Sequence, residues 1–510
     1  MLKKSLVLFL LTVNFAVFAQ TEVELDLQAN PTLIGFKAPS YKMQSAPDTL
    51  SLPFIDDFSY DSYYPSAEKW FSVSTFVNRF YPKAPPTIGV ATFDGLNYKG
   101  YPYNFSASSN SSNFADTLLS KYIRLNTAVT PADSVYFSFF YQAKGWGNEP
   151  EVGDSLVLEF KKNGAAWVKV WGRKGYTPNL VSDTGFHLVH IPVIDSSYFK
   201  DNFQFRFRNK ATLSGALDHW HVDYIYLNKN RSVNDTVFTD ISFTYNPGSF
   251  LRNYTAMPWQ QYTSADMKDS LVVFMRNNSS SAINIGYTDS VVSNTNSLID
   301  FYNAGNCNVN PFVSAGYASC LTHQYPQVGF SFPTLTDSAL FTANHRIYPS
   351  SFDQIAENNF VQYKQKFYNY FAHDDGTAES GYGLTTGGAK LGYRFALNFS
   401  DTLRAVRLFF NPILNAANGF PFRLAIWDDN GGLPNNLVYK DSIVYPKYSS
   451  DYNEFVTYLI TNPALVLSAG TYYIGIIQTT ANLLNIGLDK NINSQSQTFY
   501  MTSGFWQQST

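Results

Sequence analysis

The sequence predicts an all-β protein made of β-sandwich modules in series, on three observations. Aromatic residues, which favour strands, make up 17% of the chain. Gly and Pro recur between short apolar runs, and long apolar stripes with the helical period of about 3.6 are missing. In the stretch Phe203–Leu227, apolar and polar residues alternate along two runs that a turn-rich break separates. Such alternation is typical of strands with one buried face.

The N-terminus has the features of a cleaved export signal. Two lysines near the start are followed by an apolar run over residues 6–18 and a small-residue cleavage site. We therefore predict a signal peptide at residues 1–19 and a linker at residues 20–48. No later stretch reaches about 18 consecutive apolar residues, so we expect no transmembrane segment. The protein should be secreted or lie on the outer cell surface, with the export machinery as a partner.

Residues 49–230 have the motifs of one β-sandwich. The pattern P-F-x-D-D-F lies in Leu52–Phe58, and D-x-W-x-V-D-x-I-x-L ends the closing hairpin predicted at Phe203–Leu227. Further strands are predicted between them at Val135–Tyr141, Ser155–Phe160, Trp167–Trp171 and Phe186–Val193.

Together these motifs resemble the MAM-like and concanavalin-like jelly-roll domains of secreted multidomain proteins of Bacteroidota. The resemblance implies a jelly roll at residues 49–230 and export by the type IX secretion system.

Two further modules are expected downstream. Residues 231–365 have the size and strand count of an immunoglobulin-like spacer domain, with strands predicted at Ser270–Arg276, Ile283–Tyr287 and Gln327–Phe332. Residues 366–510 predict a C-terminal β-sandwich, with strands at Lys390–Phe395, Leu403–Phe410, Phe422–Trp427 and Tyr472–Gln478. The segment Ile426–Pro434 contains Asp-Asn-Gly-Gly and predicts a turn. No sorting domain follows Trp506, so we expect this last module to be incomplete.

Composition argues against several partners. A net charge of −3 and only 15% charged residues leave no basic excess to neutralise phosphates, which disfavours nucleic acid. We expect a binding or adhesion protein that recognises an extracellular polymer, such as a polysaccharide or surface glycoprotein, and that is not an enzyme. The alternative is the non-catalytic accessory region of a larger secreted hydrolase, a protease or glycosidase, whose catalytic part lies outside this chain.

The most suggestive metal-binding pattern is His219-x-His221-x-Asp223, since alternate residues of a strand share one face. The further His that a metallohydrolase motif would place next is Tyr224, and the other histidines have no motif spacing. We interpret the pattern as a solvent-lined strand.

A structural Ca²⁺ is a second expectation, which rests on the resemblance. Related jelly rolls hold the ion between an early acidic residue and the closing strand. This implies Asp56, Asp57, Asp218 and Asp223 as oxygen ligands, and the alternative is that they cap turns and strand ends.

Candidates for catalysis and sugar binding are less specific. A G-x-S-x-G motif is absent, and Glu149 and Glu151 are interpreted as a solvated loop rather than a catalytic carboxylate pair, so no catalytic residue is predicted. Loop aromatics of the first module offer faces on which sugar rings stack, the alternative being ordinary surface tyrosines: Tyr63, Tyr64, Trp70, Tyr81, Tyr98, Tyr101, Tyr103 and Trp146.

The two cysteines, Cys307 and Cys320, are predicted to form a disulfide, because an exported protein meets oxidising surroundings.

Overall fold

A computed structural model describes residues 22–34, 49–108, 111–126, 131–162, 166–176, 185–317, 320–412, 417–448, 455–460 and 464–509. The predicted signal peptide at residues 1–19 lies outside them. The described chain begins with strand β1 (Glu22–Leu25) and helix α1 (Pro31–Ile34). It is nearly all β, which confirms the predicted series of β-sandwich modules. Within the described ranges, no helix has the length and apolar character needed to cross a bilayer.

The first unit is a sandwich of a four-stranded and a six-stranded sheet. The order is β5-β10-β7-β8 in one sheet and β3-β4-β11-β6-β9 in the other, where β2 also pairs with β11. The strands are β2 (Phe54–Asp56), β3 (Phe76–Asn78), β4 (Val90–Phe93), β5 (Ser112–Leu119), β6 (Tyr136–Ala143), β7 (Ser155–Lys161), β8 (Trp167–Lys174), β9 (His187–Pro192), β10 (Phe205–Thr212) and β11 (Trp220–Asn228).

The alternation on β10 fills the core of this unit. Phe205 and Phe207 are fully buried, and their rings lie 4.6 Å and 4.8 Å from Phe137 and Phe139 of the opposite sheet. Between them, Arg206 points away from the core and pairs with Glu159 (2.6 Å). The period-2 pattern therefore has the physical meaning that the sequence predicts, one apolar and one charged face.

The predicted closing hairpin is wrong, because β10 and β11 belong to opposite sheets. β10 pairs with β5 and β7, whereas β11 pairs with β2, β4 and β6. Each strand has one strongly apolar face, and both faces are buried when the connection crosses from one sheet to the other.

A β-bulge interrupts β11. Its register against β6 shifts between Asp223 and Tyr226, and Tyr224 has a φ of 49°. After the extra residue, Ile225 rather than Tyr224 faces the core. Simple alternation placed Tyr224 on the same face as Trp220, which the bulge reverses.

The middle unit is built on a five-stranded sheet of order β13-β18-β17-β15-β16, with β12 and β14 paired separately. Its strands are β12 (Ile241–Phe243), β13 (Ala256–Pro258), β14 (Met275–Asn277), β15 (Ile283–Ser293), β16 (Leu298–Val309), β17 (Ala339–Pro349) and β18 (Phe360–Tyr368), and its helices are α2 (Phe312–Ala315) and α3 (Leu321–Gln324). The predicted strands at 270–276 and 327–332 are mostly extended chain, joined by one bridge between Ser270 and Gln327.

The third unit has a six-stranded sheet of order β24-β23-β27-β20-β29-β30, faced by β1-β19-β28 and by the pairs β21-β26 and β22-β25. Its strands are β19 (Ser380–Leu384), β20 (Lys390–Leu397), β21 (Asp401–Leu403), β22 (Ala405–Leu408), β23 (Phe422–Asn430), β24 (Leu433–Lys440), β25 (Val456–Leu459), β26 (Leu465–Leu467), β27 (Gly470–Gln478), β28 (Ile486–Leu488), β29 (Thr498–Met501) and β30 (Gln507–Gln508). The predicted turn is confirmed and consists of Gly431 and Gly432, both with positive φ.

Residues 22–34 are folded, unlike the linker expected there. β1 pairs with β19 of the third unit, and the Asn30 amide donates to the Gly100 carbonyl of the first unit (2.8 Å). The Asn30 side chain caps α1 by accepting from the amide of Thr32 (3.0 Å). The short alternating run Glu22–Leu25 thus joins a sheet whose other strands lie more than 350 residues later in the chain.

Candidate binding cleft

A cleft of about 1170 Å³ lies in the third unit, lined by strands of both of its faces. β20, β27 and β29 contribute from the six-stranded sheet, and β1, β19, β22 and β28 contribute from the facing strands. The cleft therefore depends on the N-terminal strand as well as on the third unit itself.

One face of β20 supplies much of the cleft wall. Leu391, Tyr393 and Phe395 line the cleft, and alternate residues of a strand share a face. The neighbouring strand β27 runs close to β20, since a Cβ added to Gly475 would lie 1.9 Å from the Leu391 carbonyl oxygen. The Phe409 and Phe455 rings, 6.5 Å apart, also line the cleft. Flat apolar rings of this kind are surfaces on which sugar rings stack.

Polar groups surround this aromatic wall. Glu22 accepts hydrogen bonds from the Tyr382 hydroxyl (2.6 Å) and the Ser509 hydroxyl (2.8 Å). Lys490 forms an ion pair with Glu24, which ties β1 to the loop after β28. Side chains of β1 therefore take part in fixed polar contacts at the edge of the cleft.

Carboxyl groups line the cleft near the 371–378 loop. The Asp489 carboxylate accepts from the backbone amides of Asp375 (3.0 Å) and Ile492 (2.9 Å). Burial, together with the charges of Asp375 and Glu379, raises the pKa of Asp489 to about 9. Burial and Asp375 raise the pKa of Glu379 to about 8. Near pH 7 both groups hold a proton, so they can donate as well as accept hydrogen bonds.

The histidine in the cleft is fully engaged in the fold. The Nδ1 atom of His373 lies 2.6 Å from the Asn253 carbonyl oxygen, and its Nε2 atom lies 2.9 Å from that of Arg394. Burial lowers its pKa. Because both ring nitrogens contact backbone carbonyls, His373 has no free nitrogen with which to act on a ligand.

Trp146 is the contribution of the first unit to the cleft. The Lys83 ammonium lies 3.8 Å from the centre of its ring, and that of Lys490 lies 5.9 Å away. These cation–π contacts hold the indole at the junction of the first and third units.

The His219, His221 and Asp223 side chains are fully buried, so the predicted solvent-lined strand is wrong. His221 contacts the Thr92 hydroxyl (2.8 Å), and Asp223 accepts from Thr87 (3.1 Å). Burial, with a smaller contribution from His221, lowers the pKa of His219 to about 3, and burial lowers that of His221 to about 4. The histidines are neutral core residues, buried because the strand β11 is central in its sheet.

The structure does not bring together the four expected calcium ligands. Asp56 contacts the Trp70 indole nitrogen (2.6 Å) and Lys69 (3.1 Å), and it pairs with Ile225 across the sheet. Asp218 precedes Ile225 by seven residues, roughly 20 Å along an extended strand. No single ion spans that distance, since Ca²⁺ binds its oxygens at about 2.4 Å.

Asp218 instead groups with Glu151 and Asp154, whose oxygens lie within 4.8 Å of one another. Glu149 forms an ion pair with Lys144 (3.3 Å), so Glu149 and Glu151 have different partners.

The predicted sugar-binding aromatics of the first unit divide into core and surface residues. Trp70 (0%), Tyr81 (3%) and Tyr64 (4%) are core residues and offer no face to a ligand. Tyr98 and Tyr103 are exposed, whereas Trp146 lines the cleft. Tyr63 and Tyr101 are half-buried. The sequence could not separate these classes, because aromatic residues of both kinds occur in the same loops.

The predicted disulfide between Cys307 and Cys320 is confirmed, with their Cα atoms 6.4 Å apart. It joins the end of β16 to the residue before α3.

In comparisons with known proteins, no family model and no curated protein matches the chain. Among solved structures, it is similar to a glycosyl hydrolase family 2 member from Bacteroides cellulosilyticus, with 10% identity over 58% of this chain and 36% of that chain (TM-score 0.23). It is similar to the Parabacteroides merdae beta-glucuronidase (9% identity, 52% and 30%, TM-score 0.21). It is also similar to the Endo-D glycoside hydrolase domain of Streptococcus pneumoniae (8% identity, 58% and 36%, TM-score 0.19). The chain thus spans about a third of each, and likenesses at these scores carry no argument about its activity.

Sequence reasoning missed the cleft because its parts are far apart in the chain. Two signals were available: the alternation of Glu22–Leu25 and the alternation of Leu391, Tyr393 and Phe395. Neither run shows which strand it will face.

Proposed function

We propose that this protein is a secreted or cell-surface binding protein that holds an extracellular glycan in the cleft of its third unit, without cleaving it. The observation that carries this proposal is the cleft itself, in which aromatic rings such as Tyr393 and Phe409 lie beside carboxyl groups that hold protons. Sugars present apolar ring faces and many hydroxyls, and such a wall complements both.

The carboxyl groups of the cleft support binding rather than hydrolysis. Glycosidases use one protonated and one ionised carboxyl group at the scissile bond. Burial raises the pKa of both Asp489 and Glu379 above 7, so neither supplies the ionised partner. His373 is held by two backbone carbonyls and does not replace it as a base.

Substitution of cleft aromatics tests the proposal. Phe409→Ala and Phe455→Ala should each weaken binding to a retained polysaccharide by roughly tenfold, as expected for the loss of one stacking surface. The matched control is Phe505→Ala, which removes a 78% exposed ring outside the cleft and should leave affinity unchanged. Affinity electrophoresis or calorimetry gives the measurement. Equal affinity in all three variants and the wild type would exclude the cleft as the glycan site.

A further inference from the structure

A buried group of acidic residues lies where the first and middle units meet. Asp57, Asp223 and Asp240 are at most 4% exposed, and Asp353 lies beside Asp240 within reach of a hydrogen bond. Asp57 and Asp223 come from the first unit, Asp240 and Asp353 from the middle unit. Among the described residues, none of the four carboxyl groups forms a salt bridge.

Asn358 joins the two sides of this interface. Its Nδ2 atom lies 3.1 Å from Asp57 Oδ2 and 3.2 Å and 3.4 Å from the two carboxylate oxygens of Asp240. With Ca²⁺–oxygen distances of about 2.4 Å, neighbouring ligands of one ion are roughly 3 to 3.5 Å apart. The amide of Asn358 therefore stands from these oxygens at the spacing of a coordination sphere.

Two fully buried side-chain oxygens here have no hydrogen-bond partner in the described structure. They are Asn358 Oδ1 and the Tyr224 hydroxyl. Turning the Asn358 amide by half a turn exchanges its oxygen and nitrogen, and it would place Oδ1 next to Asp57 and Asp240. Tyr224 lies near all four carboxyl groups, whose charges add to burial in raising its pKa.

The neighbouring cations do not neutralise this group. Arg79 donates to the Ser59 carbonyl (2.7 Å), and Arg276 donates to Asn278 (2.8 Å), so each uses hydrogen bonds outside the carboxyl groups. Asp56, next to Asp57, is occupied by Lys69 and Trp70. Burial is the main cause that raises the pKa of Asp240, followed by Asp353 and Asp57. A buried carboxylate is stable only with a proton or a cation.

We propose that this interface is a divalent-cation site, with Asp57, Asp240 and Asn358 as ligands and Ca²⁺ as the fitting ion. Hard oxygen ligands of mixed carboxylate and amide type suit Ca²⁺. The ion would neutralise Asp240 and its neighbour Asp353 and would hold the first unit against the middle unit. This site differs from the calcium ligands implied by the jelly-roll resemblance, because two of its three ligands belong to the middle unit.

The test is thermal unfolding of the chelator-treated protein with and without CaCl₂. Ca²⁺ should raise the unfolding midpoint by roughly 5 °C at about 100 times its Kd. Asp240→Asn should lose this rise. The matched control is Asp154→Asn in the other acidic group, with Glu151 and Asp218, and it should keep the rise.

If Asp240→Asn does not fold, Asn358→Ala provides the same test, and calorimetry of the wild type with CaCl₂ should give one bound ion. A rise that survives in both interface variants, or that is lost in Asp154→Asn, would overturn the assignment. A wild type whose midpoint does not respond to Ca²⁺ would show that a proton neutralises the group, and it would overturn the cation site.

Discussion

Among single residues, the pair Asp94 and Asp116 places two carboxyl groups in the core of the first unit. They are 2% and 0% exposed. Asp116 accepts from the Gly95 amide (3.0 Å) and the Tyr103 hydroxyl (3.0 Å). Burial raises the pKa of Asp94 to about 7, and burial together with Asp94 raises that of Asp116. The folded protein therefore keeps protons here that the unfolded chain would release.

This pair predicts a stability that falls with rising pH. The folded state binds the Asp94 proton up to about pH 7, whereas the unfolded chain releases it near pH 3.8, so the free energy of unfolding decreases between these values. Each pKa unit corresponds to about 1.4 kcal/mol. Asp94→Asn should flatten the decline, measured by urea unfolding at a series of pH values.

The control for this experiment is Asp269→Asn, which changes an 82% exposed carboxyl and should keep the wild-type profile. An Asp94→Asn profile that declines as steeply as the wild type would refute the shared-proton account.

At the same scale, His219 and His221 show what sequence alone could and could not establish. Their spacing correctly indicated one strand face. Whether that face met solvent depended on the six-stranded sheet around β11, whose partners come from four other parts of the chain.

At the scale of elements, strand patterns were predicted well and strand partners were not. The alternation on β10 indicated its buried face, yet β10 and β11 joined different sheets. A single bulge residue, Tyr224, then reversed the pattern on β11. Pairing is decided by which apolar faces meet across the core, and local sequence does not encode that choice.

The disulfide between Cys307 and Cys320 gives an element-scale prediction. It closes a loop of 13 residues in sequence separation, which should stabilise the fold by about 3 kcal/mol in the chain-entropy model. Removing it in the Cys307→Ala/Cys320→Ala double variant should lower the free energy of unfolding by that amount, measured with urea. Reductant should destabilise the wild type and leave the double variant unchanged. Equal stability of the oxidised wild type and the double variant would contradict this contribution.

For the whole molecule, residues 22–34 connect the first and third units. Asn411 of the third unit donates to the Asp26 carbonyl (2.7 Å), while Leu27 forms a bridge with Ala216 of the first unit. The middle unit is also fixed, since Gln261 donates to the Phe399 carbonyl (3.1 Å). Composition predicted the all-β class, but these contacts between distant segments could not be read from it.

The account's central claim is that the intact chain binds a glycan and leaves it uncut. The most direct measurement incubates the purified protein with a panel of polysaccharides and determines both retention and new reducing ends in the same samples. The account predicts retention by at least one polysaccharide, with reducing ends that stay at the level of the protein-free control. Reducing ends that increase with time, or a folded protein that no polysaccharide retains, would contradict it.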